Sequence, residues 1–212
     1  MTKFLNCKID ISLKVLEPRL ETEYWTKKAI AMIRKIPRPA KVLDIFSGSG
    51  CIGIAVLKNT QSFLDFADIS KDSLKQIKKN VKLNNIVNQR FTIIQSNIFS
   101  KIKSKYDFIL ANPPYVALDR IGEVDPQVLK KDPHLALFAG KDGMLIIEKF
   151  LKDVKKHLNH NGILFLEFDP LQKEKIKEIL EKKKMEYVFQ KDQFKKTRFV
   201  IAQNVFKGKS NN

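Results

Sequence analysis

Residues 9–16, Ile-Asp-Ile-Ser-Leu-Lys-Val-Leu, alternate apolar and polar side chains, which predicts a half-buried strand. Beyond them, Trp25, Ala29, Met32 and Ile33 recur at helical spacing, with Thr22 standing where an N-cap would. From Lys41 the pattern changes: short apolar runs at 42–46, 63–67, 91–95, 108–111 and 163–168 read as strands separated by amphipathic stretches. In the second gap Ser70 opens a helix with Leu74, Ile77 and Val81 inward and lysines outward. Asp142 is predicted to cap another helix, with Ile147, Phe150, Leu151, Val154 and Leu158 inward, and Asn161-Gly162 to end it. A lysine-rich helix around Ile176, Ile179 and Leu180 follows, then two strand-like runs at 186–190 and 198–203. Strands alternating with helices define a doubly wound α/β sheet. The expectation is seven strands, mostly parallel, with a C-terminal antiparallel edge hairpin and a short N-terminal β-hairpin.

Composition narrows the picture. At 212 residues and 43% hydrophobic the chain can bury the core of one domain. Its net charge of +17, from 40 Lys+Arg against 23 Asp+Glu, permits affinity for RNA, ribosomes or another acidic surface. Lysines dominate that charge and are scattered, with no aromatic residues interleaved in a basic stripe, so compositional bias explains it equally well. Cys7 and Cys51 form no CxxC pair, and of the three histidines, His134, His157 and His160, the last two have no Cys or acidic partners at metal-ligand spacing. No metal is expected, and His157 and His160 read as solvated. No apolar run approaches ~18 residues, and residues 1–8 lack a signal-peptide core. A soluble, cytoplasmic protein without membrane contact is expected.

Two segments carry candidate chemistry. The strand at 42–46 runs into Ser47-Gly48-Ser49-Gly50-Cys51-Ile52-Gly53, where glycines let the backbone turn tightly and approach a ligand at a helix N-terminus. Read literally this is GxGxxG, and Asp68 follows at a distance suited to a ribose hydroxyl, as in nicotinamide enzymes. Asp44 inside the strand points away from that reading, since dinucleotide-binding strands are usually apolar there. The second segment is Asn112-Pro113-Pro114-Tyr115, at the end of the strand at 108–111. Proline cannot continue a sheet ladder and holds the residue before it extended, so the strand must stop and present Asn112. An amide, backbone carbonyls and an aromatic face then meet where a planar –NH2 group could be held.

The loop pattern Asp44-x-Phe46-x-Gly48-x-Gly50 resembles that of S-adenosylmethionine methyltransferases. With Asp68, the strand end at Asn97-Ile98 and Asn112-Pro-Pro-Tyr115 in order, the chain resembles amino methyltransferases. Two families fit, the N6-adenine enzymes of DNA or RNA and the glutamine-N5 enzymes of release factors. Three further segments resemble the second, the HemK family: Val15-Leu-Glu-Pro-Arg-Leu-Glu-Thr-Glu23, Asp132-Pro-His-Leu-Ala-Leu-Phe-Ala-Gly-Lys-Asp-Gly143 and Leu166-Glu-Phe-Asp-Pro-Leu-Gln172. Leu20, Glu17, Ala139 and Asp169 depart from the family's pattern at positions that do not touch the proposed chemistry.

The resemblance implies the class I methyltransferase fold, with residues 23–206 as the catalytic domain, 1–22 as a hairpin left from a substrate-domain linker and 207–212 as a disordered tail. S-adenosylmethionine would lie against Phe46, Ser47, Gly48, Ser49, Gly50, Asp68, Asn97, Ile98 and Asn112. Asn112, Pro113, Pro114 and Tyr115 would bind the acceptor, with Asn112, Pro113 and Tyr115 catalytic. The implied substrate is a peptide chain release factor, methylated on a glutamine in translation termination. Family members usually carry an N-terminal helical domain. Relatives that lack it work with a small partner subunit, which is the partner implied here.

Overall fold

The computed structural model describes residues 1–123, 126, 129 and 133–205, with the side chains of His134 and Leu135 left aside. The expected tail at 207–212 and Asp132 lie outside the described residues. The chain opens with a small antiparallel pair, β1 (Thr2–Phe4) and β2 (Cys7–Ile9), followed by helix α1 (Leu20–Ile33). Then come β3 (Lys41–Ile45), α2 (Cys51–Asn59), β4 (Phe63–Asp68), α3 (Lys71–Leu83), β5 (Phe91–Gln95) and β6 (Tyr106–Ala111). A short helix α4 (His134–Leu137) leads to α5 (Leu145–Val154), β7 (Leu158–Glu167), α6 (Lys173–Lys182), β8 (Glu186–Lys191) and β9 (Thr197–Gln203).

The main sheet has seven strands in the order β5-β4-β3-β6-β7-β9-β8. β5, β4, β3, β6 and β7 are parallel neighbours, while β9 runs antiparallel between β7 and the edge strand β8. This is the mixed, mostly parallel sheet that the alternating pattern predicts. One core packs α1, α2 and α3 against one face, through residues such as Trp25, Ile54, Phe66, Ile77 and Phe165. A second packs α5 and α6 on the other, around Ile109, Phe150, Leu164 and Ile176. The strand order reverses between β3 and β6, and in open α/β sheets the crevice beyond the C-terminal strand ends at such a point is where ligands bind.

Several local expectations need correction. The strand predicted at 9–16 extends only to Ile9. Beyond it the backbone is satisfied by amide side chains of α3: the Leu13 amide donates to Gln76 Oε1 (3.0 Å) and the Asp10 amide to Asn80 Oδ1 (2.8 Å). The alternation is therefore real, but the partner is a helix face. Thr22 does not cap α1, which begins at Leu20, and its hydroxyl turns inward instead. Ser70 does cap α3, its Oγ accepting from the Ser73 amide at 3.3 Å. Asp142 accepts from the Met144 amide, just ahead of the first residue of α5, Leu145. That helix ends at Val154, so Asn161-Gly162 lies within β7, where Asn161 takes a φ of 59° beside a register shift against β6. His157 is half-buried and stacks on Phe99, with ring centroids 4.2 Å apart.

Candidate active site

The glycine loop is built by hydrogen bonds that start in the strands. Ser47 Oγ donates to the Asp44 carbonyl (2.7 Å) and accepts from the Ala67 amide (3.0 Å), fastening the loop across β3 and β4. Gly50 takes a left-handed φ of 78° and forms the N-cap of α2. Gly53, inside that helix, lies so close to β4 that an added Cβ would stand 2.3 Å from the Phe66 ring. Asp44 explains its own place in an apolar strand: its Oδ2 accepts from the Gly53 amide at 2.9 Å in the first turn of α2. Burial pushes the Asp44 carboxyl well above its ordinary range, with that amide opposing.

Asp68 ends β4 and ties the loop to α3. Its Oδ2 accepts from the Gly48 amide and its Oδ1 from the Ser70 amide, both at 2.8 Å. Burial raises its carboxyl above the usual value, against the pull of those amides.

A cavity of about 370 Å³ opens at the C-terminal ends of β3 to β6. It is lined by Phe46, Ser47, Gly48 and Ser49, by Asp68, by Asn97 and Ile98, and by Asn112 and Pro114. Of the nine residues expected to hold the cofactor only Gly50 is not on the wall; it shapes the turn behind it. A Cβ added at Gly48 would meet nothing within 4 Å, so the loop backbone stands bare toward the space. Bare backbone, a carboxylate, and a polar side chain next to an apolar one suit a nucleoside carrying a charged amino-acid tail, and the volume falls in the range of small-ligand pockets.

The wall also includes segments to which motif reading gave no pocket role: residues 14–19, Thr22, and Pro133, Ala136 and Phe138. Their signal in the sequence was the resemblance at Pro18-Arg19 and in the segment ending at Gly143. At the amide end, Asn112 Nδ2 donates to Thr22 Oγ1 at 3.1 Å, which leaves Oδ1 as the side chain's acceptor.

Pro113 is buried and Tyr115 half-buried, and neither is on the cavity wall. The Tyr115 hydroxyl donates to Glu167 Oε1 at 3.0 Å, and its carbonyl accepts from Gln172 Nε2 at 2.8 Å. Burial, followed by the Glu167 charge, raises the phenol well above its ordinary value. Glu167, only 1% exposed, also accepts from Thr22 Oγ1 and Trp25 Nε1, each at 2.7 Å.

A seven-stranded sheet of this order, with a glycine loop, an acid at the next strand end and an amide at the switch point, defines a methyltransferase of the Rossmann-like class. The Methyltransferase small domain family matches residues 9–131. The release factor glutamine methyltransferase of Lactococcus lactis subsp. lactis is 35% identical over 182 residues, 85% of this chain and 66% of the relative. That of Streptococcus pneumoniae is 33% identical over 202 residues, 94% of this chain and 71% of the relative. The ribosomal protein L11 methylase structure from Lactobacillus delbrueckii subsp. bulgaricus shares the fold, with a TM-score of 0.66 at 19% identity, covering 92% of this chain and 82% of that one. The chain belongs to the release factor glutamine methyltransferase family, and it spans about two thirds of the length of these curated relatives. The adenine alternative is not favoured by these relatives. Among the described residues no helix is long and apolar enough to cross a membrane.

Proposed function

We propose that this chain transfers a methyl group from S-adenosylmethionine to the side-chain amide nitrogen of a glutamine in a peptide chain release factor. The observation that carries the reading is the Asn112 amide on the wall of the cofactor cavity, its nitrogen engaged by Thr22 and its oxygen left to accept. When bound, the cofactor supplies an electrophilic methyl group. A glutamine nitrogen is a weak nucleophile because its lone pair is delocalised into the carbonyl. Asn112 Oδ1 and the Pro113 carbonyl accept its two hydrogens, fixing the nitrogen beside the cavity and stabilising positive charge that develops there. Tyr115 braces this corner through Glu167 and Gln172. Asp68 would accept hydrogen bonds from the ribose hydroxyls, Asn97 and Ile98 would stand against the adenine, and the loop at 46–50 would receive the amino-acid end.

Residues 1–22 serve as the substrate-side linker and 23–206 as the catalytic domain. The basic surface suits an acidic partner such as the ribosome or RNA, and a small partner subunit can complete the grip on the substrate. The reaction belongs in the cytoplasm, where release factors act. Asn112→Ala is expected to lower methyl transfer by about two orders of magnitude or more, with the cofactor dissociation constant, measured by calorimetry, changed only a few-fold. Near-normal turnover in that variant would contradict the assignment.

A further inference from the structure

Glu167 enters the reaction proposed above only by bracing Tyr115 and does not line the cavity, yet three donors, two from α1 and one from the turn after β6, converge on its buried carboxylate. We propose that Glu167 and Thr22 form a positioning relay that decides which way round the Asn112 amide stands. The argument rests on the amide-acceptor reading of Asn112.

The polarity of the relay follows from what each group can do. The Trp25 indole nitrogen can only donate, so Glu167 Oε2 accepts from it at 2.7 Å. The Thr22 hydroxyl carries one proton and directs it to the same oxygen at 2.7 Å. Its remaining lone pairs face Asn112, 3.1 Å away, and can be met only by the –NH2 end of the amide. With the amide reversed, two acceptors would oppose each other, or the Thr22 proton would have to leave a charge-assisted bond to a buried carboxylate. Either arrangement is worse, so Oδ1 is held as the acceptor that the substrate nitrogen requires.

The relay also links three parts of the fold. Glu167 is the last residue of β7, Thr22 and Trp25 lie on α1, and Asn112 follows β6. Trp25 stacks on Phe165 with ring centroids 6.0 Å apart, so the anchor of the relay is itself fixed to the sheet. Asn112 is the group that meets substrate, whereas Thr22 and Glu167 act through it.

Thr22→Val keeps the shape and removes the hydroxyl, and Thr22→Ser keeps the hydroxyl. Two readouts are taken on the full chain: hydrogen exchange of the Asn112 side-chain amide by nitrogen-15 NMR, and kcat with a release factor substrate. In Thr22→Val the amide hydrogens should exchange roughly tenfold faster, and kcat should fall on the order of tenfold to a hundredfold. Because Thr22 also stands on the cavity wall, cofactor affinity is measured alongside, and the fall in kcat should exceed any loss of affinity; Thr22→Ser should restore both readouts. If Thr22→Val does not fold, Thr22→Ala, which cannot overpack, carries the same expectations. Wild-type values for either readout in the variant lacking the hydroxyl, or no recovery in Thr22→Ser, would overturn the relay. If the wild-type chain methylates no release factor, the functional reading fails, and the exchange measurement still judges the relay.

Discussion

Asp68 holds the backbone on both sides of the cavity floor with its two carboxylate oxygens, and burial raises its carboxyl above the usual range. Only the ionised form offers every lone pair as an acceptor. Cofactor affinity should therefore decline on acidification from a pH above the ordinary carboxylate midpoint, and Asp68→Asn should flatten that decline. The stability sign is opposite: a raised folded-state pKa gives stability that is present below the unfolded value and lost as pH rises through the folded one. Calorimetric titrations across pH, with circular dichroism on the same samples, separate the two effects. Gly143 illustrates a different single-residue constraint. Its φ is +75°, and an added Cβ would stand 2.2 Å from the Tyr115 carbonyl oxygen and 2.6 Å from Gln172 Nε2. Gly143→Ala should destabilise the fold by about 1–3 kcal/mol, read from thermal melts, and lower turnover by shifting the corner that presents Asn112. The sequence marked Gly143 only through its resemblance to a family segment, because the carbonyl it passes lies on a distant part of the chain. Asp68, Asn97 and Asn112 were legible as residues of the cavity wall because Asp68 ends β4 and the other two follow shortly after β5 and β6, on the side where a parallel sheet opens toward ligands. Tyr115 was legible as an aromatic corner, but its tie to Glu167 depends on a strand pairing that no local pattern encodes.

At the scale of elements, α3 links the start of the chain to the glycine loop. Asn80 Nδ2 donates to the Asp10 and Ser49 carbonyls, both at 2.9 Å, while its Oδ1 accepts from the Asp10 amide. One helical turn away on either side, Asn84 accepts from the Lys8 amide and donates to the Lys8 carbonyl, while Gln76 accepts from the Leu13 amide and donates to Asp10 Oδ1. This row of amides stands in for a neighbouring strand, which is why an alternating segment reads as a strand and does not form one. Helical periodicity revealed Ile77 and Val81 as core, but it assigns buried polar residues on the same face to solvent. Asn80→Ala leaves two carbonyls and an amide without their partner and should cost about 1–3 kcal/mol. It should also weaken cofactor binding, since Ser49 and the segment at 14–19 both line the cavity. Denaturant unfolding and calorimetry on the one variant test both effects, and unchanged cofactor affinity would show that the loop holds its shape without α3.

Across the whole molecule, the end of the sheet opposite the cavity is fastened by a charged knot. Arg38 makes a bidentate pair with Asp107 at 2.8 and 2.9 Å, and the Lys41 amide and Asn159 Nδ2 donate to the same carboxylate. Burial opposes ionisation there, but these donors outweigh it and hold the Asp107 carboxyl below its ordinary value. A lowered folded-state pKa gives stability that is present above the unfolded value and lost as pH falls through the folded one. The stability gap between wild type and Arg38→Ala should thus be widest near neutral pH and close on acidification, as followed by chemical unfolding at several pH values. At the other end, between β3 and β6, lies the cavity to which the proposed reaction is assigned. The central claim is that the acceptor there is a glutamine amide of a release factor. The direct test is to incubate the chain with S-adenosylmethionine and a full-length release factor, together with DNA and ribosomal RNA, and to locate any methyl group by tandem mass spectrometry. The account predicts a single methyl on a glutamine side-chain nitrogen, absent with Asn112→Ala. An unmodified release factor beside methylated adenine in the nucleic acid would contradict it.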